Sequence, residues 1–189
     1  TRRWTLNCGP GAFPGDVFMP RIFAVAIALF LTGCLTYIGN GGMADTVGSH
    51  LNYVAKSGRL AVMVLGDPVP GKRAEIEAMV ISALDNNFAT LKTTFVATKL
   101  IVPAPDKILF VFNPEITALD SEMCHAPAAA KAGNQGAKMR IGVIFCSGRA
   151  RSQIWASLDR ISSVDDPLLA EVIDGLALRL IPNGQRTAY

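Results

Sequence analysis

The chain predicts an α+β (or α/β) domain. Its sheet is small, mixed or antiparallel, with about four to five strands and two amphipathic helices packed on one face. Three observations carry this expectation. Leu60–Leu65, Lys107–Phe112 and Met139–Cys146 are nearly continuous apolar runs, each closed by a Gly, Pro, Asn or Ser turn, the pattern of strands buried on both sides. Lys72–Phe88 and the segment after Pro167 instead space their apolar residues by three and four, as one stripe of a helix requires. The first strand run leads at once into the first helical pattern, which is how a βα unit begins.

Taken in order, residues 35–58 are rich in Gly and small polar residues and predict a tether, with His50 solvated on it. Leu60–Leu65 predicts a strand, turned by Gly66-Asp67-Pro68. In the helix Lys72–Phe88, Ile76, Met79, Val80, Ala83, Leu84 and Phe88 form the apolar stripe, and Glu75 and Glu77 sit where the helix dipole favours acids. Thr93–Thr98 is β-branched and alternating, a further strand, before Pro103 and Pro105 interrupt the chain. After Lys107–Phe112 comes a long insertion, 113–138, which is acidic, then Ala-rich, then Gly-rich. Met139–Cys146 is the third strong strand. Arg151–Ile161 fits both periods; a strand pairing back on 139–146 is the reading adopted, with a helix as the alternative. Asp165-Asp166-Pro167 then starts a helix with a cap residue before Pro, and Leu168, Leu169, Val172, Ile173, Leu176 and Leu180 form its apolar face.

Upstream of this domain lies a different kind of segment. Ile22–Leu31 is ten uninterrupted apolar residues, roughly 15 Å as a helix and about half a bilayer core. That length suits the apolar stretch of a signal peptide, with Met19-Pro20-Arg21 as the short basic start. Leu31-Thr32-Gly33-Cys34 resembles the lipobox of bacterial lipoprotein precursors. The resemblance covers residues 19–34 only. It implies lipid on the Cys34 thiol, cleavage before Cys34, and a mature chain beginning there. It also implies a partner, membrane lipid, and a place in the cell envelope facing the periplasm. Leu35 rather than Asp after the Cys favours the outer membrane in that family. Residues 1–18 match neither a basic start nor a domain, Met19 is the natural initiator, and Arg2-Arg3 partly matches a twin-arginine export signal. Secretion without lipid and an uncleaved anchor are the alternatives. The expected organisation is a leader 1–33, a lipidated tether 34–58, one globular domain 59–184 and a tail 185–189.

Composition narrows the function. The formal charge is +3, and much of the excess comes from Arg2, Arg3 and Arg21 in the leader. The domain itself is near neutral, which argues against a nucleic-acid partner. Of four cysteines, the lipobox resemblance implies that Cys8 leaves with the leader and Cys34 takes lipid; Cys124 and Cys146 would then remain, and two cysteines in an oxidising compartment suggest one disulfide. Closing that loop would contribute on the order of 3 kcal/mol in the chain-entropy picture. In a cytosolic chain the same two would be free thiols.

Chemistry-bearing motifs are sparse. Gly133–Lys138 lacks the spacing and ending of a phosphate loop, and Gly66–Gly71 loses amide donors to two prolines, so both predict plain turns. No metal site is expected, because no His/Cys spacing supplies three or four ligands, and no cofactor or catalytic residue is assigned. Cys124-His125 reads as a disulfide half beside a loop histidine. Ser147-Gly148-Arg149-Ala150-Arg151 reads as a hairpin turn that could meet an anion, so His125, Arg149 and Arg151 are the candidate ligand contacts. The leading expectation is a non-enzymatic envelope lipoprotein whose domain binds another envelope component. The alternative is a periplasmic enzyme or small-ligand module using the 113–138 loop.

Overall fold

The computed structural model describes residues 2–4, 36–41, 44–89, 91–98, 105–114, 120–127, 138–159 and 161–180. The elements run β1 (Arg2–Trp4), β2 (Thr36–Gly41), α1 (Ala44–Ala55), β3 (Arg59–Leu65), α2 (Arg73–Asn87), β4 (Thr94–Ala97), β5 (Asp106–Phe112), α3 (Asp120–His125), β6 (Lys138–Ser147), β7 (Arg149–Asp159) and α4 (Pro167–Leu180). The seven strands form one sheet in the order β1-β2-β7-β6-β5-β3-β4. β3 pairs in parallel with β4 and β5, and the remaining neighbours are antiparallel. The mixed α+β architecture therefore stands, with more strands and two more helices than expected. The segment that fitted both periods, 151–161, is largely strand: β7 pairs with β6 along its length.

The core sits mainly on one sheet face. Leu60, Val62 and Val64 of β3, Ile108, Phe110 and Phe112 of β5, and Ile141, Val143 and Phe145 of β6 project there. Against them pack Ile76, Val80 and Leu84 of α2, Leu169, Val172, Ile173 and Leu176 of α4, and Val47, Leu51 and Val54 of α1. The two predicted helices thus share one face, and α1 joins them. Within the stretch expected as a tether, Thr36–Gly41 form β2 and Ala44–Ala55 form α1. Their Gly-rich composition hides an apolar stripe at helical spacing, Val47-Leu51-Val54, which is buried in the core.

The opposite face carries Met63, Leu109, Val111, Ile144, Cys146 and Trp155, with Met123 and Cys124 of α3 laid over them. The Cys124–Cys146 disulfide joins α3 to β6, with Cα atoms 5.6 Å apart. The 113–138 insertion therefore contributes a lid to the second face. Arg140 stacks on the Trp155 ring, 4.1 Å from its centroid. That ring lies flat across Gly142, its cross-strand partner, where a Cβ would run into it.

Helix ends follow local chemistry. Asp166 Oδ1 accepts from the Leu168 amide at 2.9 Å, capping α4 as the Asp-Pro start predicted. α2 starts without a side-chain cap, but Arg73 donates to the Val64 carbonyl at 2.6 Å, tying the helix start to the β3 end. Gly66 makes the turn between them at φ +85, where its backbone lies against the Phe112 carbonyl and a side chain would collide. The leader apart from Arg2–Trp4, the Leu31–Cys34 box, the Gly133–Gly136 turn and the 185–189 tail lie outside the described residues.

Gly142→Ala should lower stability by about 1–3 kcal/mol, because the methyl displaces the Trp155 ring. Urea unfolding followed by Trp fluorescence checks it; unchanged stability would mean the indole has room to move.

Candidate functional site

Three polar side chains from distant parts of the chain meet at one end of the sheet. Asp106 opens β5 and Ser147 closes β6, and the two are cross-strand partners. His50 reaches them from the sheet-facing side of α1. His50 Nε2 lies 2.5 Å from Ser147 Oγ, and Ser147 Oγ lies 2.5 Å from Asp106 Oδ1. A hydroxyl has one proton, and an ionised carboxylate only accepts. Ser147 therefore donates to Asp106 and accepts from a His50 that carries its proton on Nε2. The serine sits between the histidine and the acid. This differs from a nucleophile–base–acid relay, in which the histidine occupies the middle.

Local structure explains the convergence. Val47, Leu51 and Val54 seat α1 on the core, so His50, one turn beyond Val47, faces the same way and its ring lies 6.3 Å from that of Phe145. The β6–β7 pairing shifts register between Phe145 and Cys146, just before Ser147, an irregularity that re-aims side chains. The hairpin then turns at Gly148, φ +67, whose amide donates to the Pro105 carbonyl at 3.0 Å. Arg151 Nε adds a bond to the Ser147 carbonyl at 3.3 Å.

Beside this group is a cleft of about 490 Å³ lined by Tyr53, Val54, Lys56, Ser57, Arg59, Pro105 and Asp106. Asp106 belongs to both, and the Tyr53 ring lies 6.3 Å from that of His50. Lys56 and Arg59 are exposed, and neither forms an ion pair among the described residues.

The residues singled out from sequence fall elsewhere or play other parts. Cys34 lies outside the described residues. Cys124 and Cys146 are bonded to each other. His125 ends α3, exposed, and no hydrogen bond or ion pair among the described residues links it to Arg149 or Arg151. Arg149 is exposed in the hairpin, and Arg151 supports the Ser147 backbone. His50, expected as a solvated tether residue, is half-buried and hydrogen-bonded. The one available signal for it was its place beside the Val47-Leu51-Val54 stripe. Among the described residues, no group of three or more His, Cys, Asp or Glu is placed to hold a metal ion.

Lys107, next to Asp106 in β5, points to the opposite face and is only 3% exposed. Burial lowers its pKa from the usual lysine value. The chain matches no known family model and no curated protein.

Ser147→Ala should cost about 1–3 kcal/mol by leaving His50 and Asp106 without their shared partner, as thermal or urea unfolding would register. For Lys107 the folded state holds its proton less tightly than the unfolded state does. Stability should therefore rise with pH as the solution climbs from the lowered folded value toward about 10.4. Lys107→Met should flatten that rise in urea titrations at successive pH values; a rise that persists would assign it to another group.

Proposed function

We propose that this chain is a bacterial cell-envelope lipoprotein, anchored through lipid on Cys34, whose domain faces the periplasm and binds another envelope component. The Cys124–Cys146 disulfide carries the reading. A bond that joins a helix to a central strand fits a chain that folds in an oxidising compartment. The Leu31-Thr32-Gly33-Cys34 box and the short apolar run before it supply the anchor, and Leu35 favours the outer membrane. No helix among the described residues is long and apolar enough to cross a membrane. Cleavage before Cys34 would also remove β1, leaving β2 as the sheet edge and six strands in place.

A second reading, a periplasmic small-ligand module, is favoured by the cleft beside Asp106. In that case the ligand end is the α1–β3 corner rather than the 113–138 loop, whose α3 is bonded to the sheet.

Intact mass of the membrane fraction tests the anchor. The expected species begins at Cys34, carries added acyl mass and is two hydrogens light for one disulfide. Cys34→Ala should stay unprocessed and lose the acyl mass; a variant that remains equally membrane-bound and is still cut at residue 34 would exclude lipidation there.

A further inference from the structure

The cleft between the end of α1 and the start of β3 has the chemistry of a ligand site. Its two cations, Lys56 and Arg59, stand three residues apart across the turn that joins the helix to the strand. Among the described residues neither has a carboxylate partner, although Asp106 lines the same cleft. Asp106 is engaged by the Ser147 hydroxyl, which holds it in place on its own strand. The walls are of mixed character: Tyr53, 72% exposed, and Pro105 offer an aromatic and an apolar surface. A volume of about 490 Å³ lies within the usual range for small-molecule sites, roughly 300–1,000 Å³.

Two cations with no carboxylate partner among the described residues call for an oxyanion. The aromatic wall calls for an organic body on that anion. The remaining carboxylate oxygen of Asp106 accepts from a hydroxyl or ammonium on the body, since one of its two oxygens takes the Ser147 proton.

We propose that this cleft binds a small, soluble organic phosphate or carboxylate that carries a hydrogen-bond donor, with Lys56 and Arg59 on the oxyanion and Asp106 on the donor. The His50–Ser147–Asp106 chain positions Asp106 from behind. The same chain would report occupancy, because a ligand donor on Asp106 redistributes its bond with Ser147 and hence the bond from His50. The site does not depend on lipid at Cys34, so it stands or falls apart from the anchoring reading.

The chain has two histidines, His50 beside the cleft and His125 at the end of α3, so ring resonances give a probe and an internal reference. The full chain, 13C-labelled at histidine, is titrated at constant ionic strength with inorganic phosphate and with 4-hydroxyphenyl phosphate, whose ring hydroxyl supplies the donor. The expected result is a saturable shift of the His50 ring in the millimolar range with His125 unmoved, 4-hydroxyphenyl phosphate binding more tightly than inorganic phosphate. Lys56→Ala with Arg59→Ala should weaken 4-hydroxyphenyl phosphate about tenfold or more without moving the unfolding midpoint, because both side chains are exposed. Equal shifts at both histidines, a shift linear in concentration, or undiminished binding by the double variant would overturn the proposal. So would saturation by vesicles of anionic phospholipid with none by the soluble anions, which would assign the two cations to a lipid surface.

Discussion

Burying β5 and β6 on both faces is the constraint on which the rest of the structure depends. From Lys107 to Phe112 and from Ile141 to Ser147 every residue of these two neighbours is buried. Such a pair is stable only if both sheet faces are covered. Three helices cover one face. On the other, α3 is the only helix among the described residues, six residues long and too short to hold itself as an isolated helix. Met123 and the Cys124–Cys146 bond keep it down. The disulfide thus fastens the one described helix of that face to the sheet. Trp155 extends that layer by lying across Gly142, and Arg140 closes over its outer side.

The same constraint accounts for the position of the polar group. From Ile108 to Phe112 and from Ile141 to Cys146 the two strands are apolar, and the pair ends at Asp106 and Ser147, which face each other. Beyond the helices' apolar cover, polar side chains must find partners or meet water. His50 supplies one partner from above, and the cleft supplies access to the other side. A cross-strand pair that supports a structural bond on one side and faces a cleft on the other is suited to hold a carboxylate steady for a ligand.

How much of this was legible in the sequence follows from the range of each interaction. Strands β3, β5 and β6 and helices α2 and α4 were legible, because period and turn residues are local. The need for a second covering layer was also legible in principle: runs such as Lys107–Phe112 have no polar face. The 113–138 insertion supplies part of it, and its composition concealed α3. Residues 36–55 misled for the opposite reason. Gly39, Gly41, Gly42 and Gly48 suggested a tether, and the three-residue stripe of α1 is short enough to be lost among them. The polar group was beyond reach. His50 and Ser147 are 97 residues apart and Asp106 and Ser147 are 41 apart, so only the sheet order brings them together.

Sheet order also relates the proposed anchor to the cleft. Thr36 opens β2 and pairs with Ser157, which pairs in turn with Arg140. Ser147 lies seven residues farther along β6, a distance of roughly 23 Å at strand rise. Lipid on Cys34 would precede β2 with only Leu35 between them, so the domain would sit close to the bilayer with little freedom to turn. In that orientation the β2 start, the β5 end and the β6 start face the lipid. The Asp106–Ser147 end, the β6–β7 hairpin and the cleft with Lys56 and Arg59 face the aqueous compartment. The proposed anchor and the proposed ligand site are therefore compatible by geometry, and a short attachment would present the cleft outward instead of leaving its direction to chance.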